Sequence, residues 1–110
     1  MDNHQLPSGT VLSLSDLCAY SEQTIAKKVI TRKNGGDIIL LAFQQGQALK
    51  EHTAPVDAIV QIVEGKGRIT LAGEEHMLDA GQMIILPANI PHAVAATEGN
   101  FKMLLTKIKD

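Results

Sequence analysis

The sequence predicts an all-β fold, a small antiparallel barrel or sandwich, from three observations. Turn signals recur every few residues from position 45 onward, at Gln45-Gly46, Glu64-Gly65, Ala72-Gly73, Asp79-Ala80-Gly81, Pro87-Ala88-Asn89 and Glu98-Gly99-Asn100. The stretches between them, 57–63, 68–72, 75–78, 83–86, 92–96 and 101–108, have strand length and apolar character. Such even spacing fits a sandwich or barrel rather than strands alternating with helices. The third observation is size, since 110 residues make about one domain and no internal linker interrupts them.

Taken in order, residues 1–12 are polar with Pro7 and Gly9 and are expected to be loosely held. Residues 13–20 predict a short helix, with Ser15 as N-cap, Asp16 in the first turn and Leu14, Leu17 and Cys18 near helical spacing. Residues 22–31 carry Ile25, Val29 and Ile30 among polar neighbours, read as an added N-terminal strand, and Asn34-Gly35-Gly36 then signals a turn. An apolar run follows at 37–44. His52 stands just ahead of the strand at 57–63, which runs into a predicted turn at Glu64-Gly65-Lys66-Gly67. Gly65, Gly67 and Gly81 are expected to supply the positive φ of tight turns. Pro87 and Pro91 mark the end of one strand and a loop leading to His92. The strands at 58–63 and 84–86 are apolar on both faces, so one face fills the interior and the other meets a second sheet or a second subunit. Gln61, among apolar neighbours, is expected at that subunit interface.

Composition excludes several function classes. Net charge is −2 with acidic and basic residues interspersed, and the aromatics are Tyr20, Phe43 and Phe101, so nothing supports phosphate neutralisation or base stacking. Cys18 is the single cysteine, which fits a reducing compartment. The start shows no signal-peptide pattern, and no apolar segment nears the roughly 20 residues of a membrane span. A cytoplasmic protein, without nucleic-acid or membrane partners, is the expectation.

Two blocks carry the motif signal. Gly46, five residues on, His52 and later Gly65 form the first; Gly81, Pro87, Asn89 and His92 form the second. They resemble the paired motifs of the cupin superfamily, G-x5-H-x-H-x3–4-E-x6-G and G-x5-P-x-G-x2-H-x3-N. The resemblance extends over about residues 37–108, and EHTAPVDAIVQIVEG and MIILPANIPH look like small single-domain cupins of undefined activity. It implies a jelly-roll barrel across 1–110, with His52 and His92 near one another on adjacent strands. Against the motif, Ala54 replaces the second histidine, Ala58 the glutamate, Asn89 a glycine and Ala96 the final asparagine.

Metal-binding relatives of this kind use three histidines and a glutamate, of which this chain keeps His52 and His92. Two imidazoles are fewer than the three protein ligands of a usual catalytic zinc site. Asp57 would join them only if a β-bulge turned it inward. The favoured reading is a binding module without a resident metal. Its mostly apolar pocket is lined by His52, His92, Ala54, Ala58, Val60, Ile62 and Met103, and it holds a small organic molecule. The alternative is an enzyme, a dioxygenase or isomerase with a divalent transition metal in a rearranged site, or one using a histidine as general base. The resemblance also implies a homodimer. His76 and His4 are read as ordinary surface or core histidines, Met77 and Met83 as gap-fillers, and Asp57 as a loop-pinning acceptor.

Overall fold

The structure, a computed structural model, describes residues 6–109; His4 lies outside them. Among the described residues a single 3-10 turn, Leu14–Asp16, precedes eight strands. These are β1 (Ala26–Lys33), β2 (Gly36–Phe43), β3 (Ala48–His52), β4 (Asp57–Leu71), β5 (Glu74–Asp79), β6 (Met83–Leu86), β7 (His92–Ala95) and β8 (Phe101–Ile108). All pairings are antiparallel. Among the described residues, no helix is long and apolar enough to cross a membrane.

β4 organises the barrel. Its first half lies between β8 and β6, in a sheet continued by β2 and β1; its second half lies between β7 and β5, with β3 beyond β7. The predicted turn at 64–67 is therefore a correction: the strand runs through it. A bulge between Ile62 and Glu64 bends β4 from one sheet into the other. Gly65 (φ +79°) is left-handed there, and a Cβ on it would collide with the Asn100 carbonyl and sit 2.9 Å from Phe101 Cα. A Cβ on Gly67 would lie 2.7–2.9 Å from the Phe101 ring. Both glycines thus admit Phe101 rather than reverse the chain.

Alternation along the strands sets the core. Ile39, Leu41 and Phe43 of β2, Ala58, Val60 and Ile62 of β4, and Phe101 and Met103 of β8 point inward to meet Ile69, Leu78, Leu86 and Val94. Phe43 and Phe101 close one end, stacked with centroids 4.7 Å apart and planes 7° from parallel.

The N-terminal segment covers part of the outer face of the β1–β2–β8 sheet. Cys18 is buried there against Leu40 and Ala42, with Leu17 and Tyr20 beside it. The buried Lys102 ammonium binds the Ser15 carbonyl, lies 4.8 Å from the Tyr20 ring centroid and 3.8 Å from Glu64 Oε2; the Tyr20 hydroxyl donates to that same oxygen at 2.5 Å. The expected helix over 13–20 reduces to the 3-10 turn, since a segment this short nucleates poorly in isolation and docking of Leu17, Cys18 and Tyr20 decides its path. Ser15 caps nothing, and Ser13, at the N-cap position, makes no side-chain cap.

Candidate functional site

The end of the barrel opposite the phenylalanine pair is framed by the loops 53–56, 72–73 and 87–91. They are tied together across the rim. Asn89 N–H donates to the Ala54 carbonyl at 2.7 Å, Ala72 N–H to Pro91 at 2.9 Å, and Ala88 N–H to Asp57 Oδ1 at 2.8 Å. Asn89 takes φ +65°, a left-handed conformation that asparagine tolerates, which explains why it can stand at the motif's glycine.

At this mouth β3 pairs with β7 so that His52 and His92 are direct cross-strand partners. A bulge between Leu49 and His52 sets that register. The imidazole centroids are 4.4 Å apart at an interplanar angle of 66°. His52 is exposed and His92 buried. Each Nδ1 bonds a backbone carbonyl two residues earlier, His52 to Lys50 at 2.9 Å and His92 to Ile90 at 3.2 Å. A carbonyl only accepts, so each Nδ1 carries a proton, and in the neutral form of either ring Nε2 is the lone-pair acceptor. Burial holds the His92 pKa below the usual imidazole range, opposed by its bond to Ile90 and reinforced by the neighbouring His52.

Pairing extends the row across the barrel wall. His92 faces Leu71 of β4, and Leu71 faces Glu74 of β5. In the other sheet the rim row is Arg32, Asp37, Lys107, Ala58 and Leu86, on β1, β2, β8, β4 and β6. Below it lie Ile39, Leu105, Val60 and Ile84.

The sequence-predicted residues divide by depth. His52 and His92 meet. Ala58 is buried in the rim row and Ala54 is half-buried in the rim loop. Val60, Ile62 and Met103 are 0%, 3% and 1% exposed within the core, so a ligand touching the histidines sits above them. Asp57 is exposed and pins Ala88; the bulge in β4 falls at 62–64, too far along to turn it inward. His76, half-buried, pairs with Ile69 one row below the rim. Met103 is core, whereas Met77 and Met83 are exposed rather than gap-filling. Gln61 is exposed in the protomer. Beside the mouth, Pro55, Val56, Asp57, Ala88, Ile108 and Lys109 form a separate cleft of about 320 Å³ that contains neither histidine.

Sequence reasoning overlooked Asp37 and Lys107. Each continues the alternation of its own strand, Ile39–Leu41–Phe43 and Phe101–Met103–Leu105, and that period was the available signal. A metal does not fit the donor set as it stands. Among the described residues no three His, Cys, Asp or Glu side chains cluster to hold an ion, and methyl groups occupy the motif's other two ligand positions.

Fold and site together define a jelly-roll barrel with a histidine pair at its mouth. The chain belongs to the cupin domain family, which matches residues 39–107. It is similar to a conserved protein of unknown function from Streptococcus pyogenes, at 29% identity and TM-score 0.89 over 96% of this chain and 92% of that one. A cupin superfamily protein from Desulfitobacterium hafniense is 26% identical, with TM-score 0.87 over 96% of each chain. A cupin 2 conserved barrel domain protein from Leptotrichia buccalis is 37% identical over 89% of this chain, TM-score 0.86, and the match spans 47% of that protein. A comparison with curated proteins gives no match.

Proposed function

We propose that this cupin is a small-molecule-binding barrel whose mouth holds an organic ligand through His52 and His92 above an apolar interior. The observation that supports this reading is the histidine pair itself: two rings 4.4 Å apart, both fixed through Nδ1. Two oriented acceptors over a hydrophobic floor match the usual make-up of a ligand site. The test is metal content per subunit of untagged, chelator-free protein, followed by a thermal-shift screen of small organic acids and aromatics. Metal far below stoichiometry, unchanged in His52→Ala and His92→Ala, is expected. A ligand should raise the midpoint with concentration in the wild type and not in those variants. Stoichiometric transition metal that either substitution removes would overturn the metal-free reading.

The proposal includes a homodimer. Met83 and Ile85 are 49% and 56% exposed on the outer face of β6, beside the half-buried Ile59 and the exposed Gln61 of β4. A second copy of the same face would cover them with its own apolar side chains about a two-fold axis. Light scattering should give a dimer mass, and Ile85→Glu a monomer that keeps the fold by circular dichroism. A monomeric wild type at micromolar concentration rejects the dimer.

A further inference from the structure

We infer that the ligand of this mouth carries a carboxylate, and that Lys107 is the residue that receives it; this rests on the mouth being a ligand site. Lys107 follows Phe101, Met103 and Leu105 on the inward-facing positions of β8 and is half-buried. Its cross-strand partners are Asp37 on one side and Ala58 on the other. Asp37 is 6% exposed; Lys109 Nζ lies 3.1 Å from its Oδ2, whereas Arg32 Nε stands 3.6 Å from Oδ1, a buried oxygen that accepts no hydrogen bond among the described residues. On the other side a carboxylate at position 58, where the motif has its glutamate, would neutralise Lys107 directly. Ala58 supplies only a methyl group. Among the described residues the rim row therefore holds Arg32 and Lys107 with Lys109 close by, against Asp37, and the histidine row opposite adds the exposed Glu74 at its far end.

The two walls differ in hydrogen-bonding sense, which specifies the ligand further. Packed sheets lie about 10 Å apart, a distance a small molecule bridges. On the Lys107 wall the protein donates, with a charge that favours an anion. On the histidine wall both Nε2 atoms accept, so the ligand must donate there through a hydroxyl or amine. The complement is a small hydroxy or amino acid, with its carboxylate on Lys107 and its hydroxyl or amine on the imidazoles.

Lactate, which carries both groups, and its neutral amide lactamide make the test. The readout is the Cε1–H nuclear magnetic resonance signals of His52 and His92, assigned with His52→Gln and His92→Gln. Lactate is expected to shift both signals saturably, and lactamide to need at least tenfold higher concentration. Lys107→Met should erase that preference, while Lys107→Arg, keeping the charge, should restore it; circular dichroism verifies that both variants fold. Equal responses to lactate and lactamide, or a preference surviving in Lys107→Met, would overturn the role of Lys107 while leaving the mouth as a binding site. No saturable shift with either compound would overturn the hydroxy-acid ligand, whereas the mouth as a binding site falls only if the thermal-shift screen also finds no ligand that depends on His52 and His92.

Discussion

At the floor of the barrel Phe43 and Phe101 stack, and Gly65 and Gly67 lie so close against Phe101 that neither position has room for a methyl group. At the mouth two histidines meet edge to face, and alanines stand at positions where the family motif has larger polar side chains. The floor is defined by what cannot be added to it. The mouth is defined by what has been taken away. Residues at the floor should therefore govern stability and residues at the mouth should govern recognition, and substitutions at each end can break that division.

The largest effect is expected from Phe101→Ala, which removes a fully buried ring from the stack and should cost about 4 kcal/mol in urea denaturation. Gly65→Ala comes next, at roughly 3 kcal/mol, because it combines a left-handed backbone with a steric clash against Asn100. If Gly65→Ala proved neutral, the floor would be looser than this geometry requires.

A smaller effect should appear at the mouth as a pH dependence. Burial keeps the folded-state pKa of His92 below that of the unfolded chain, so protons favour the unfolded state. The contribution of this group is fully present above the ordinary imidazole pKa of about 6.5 and is lost as pH falls below it, until the folded-state ring also protonates. Stability measured at pH 7.5 and pH 5 should fall more in the wild type than in His92→Gln. The smallest change belongs to Ala54→Ser in the half-buried rim loop, within about 0.5 kcal/mol by thermal melt. A shift as large as that of Gly65→Ala would show the mouth to be as tightly packed as the floor.

Much of the fold was legible in the sequence because hairpin turns announce themselves locally. Asn34-Gly35 and Ala72-Gly73 are two-residue connections between paired strands, and β5, β6, β7 and β8 lie within two residues of where turn spacing put them. What stayed hidden depends on distant partners. Gly65 and Gly67 read as a turn because the reason for them is Phe101, far along the chain. β3 went unseen because four of its five residues are exposed and show no alternation. The histidine pair followed from motif spacing, whereas Asp57 was a pin whose partner, Ala88, no local pattern names. The charged wall of the mouth was missed because a lysine near a strand end resembles any solvated lysine until the register places it beside Ala58.

The continuity of β4 has a consequence for how the chain reaches this state. One strand pairs with β5, β6, β7 and β8, so neither sheet can be completed while the other is absent. Folding must wait for segments as far apart as Asp57 and Ile108 to find each other, which makes for high contact order and a slow, all-or-none transition. The amides of β4 should then exchange with solvent only through global unfolding, with one shared opening free energy from its first half to its second.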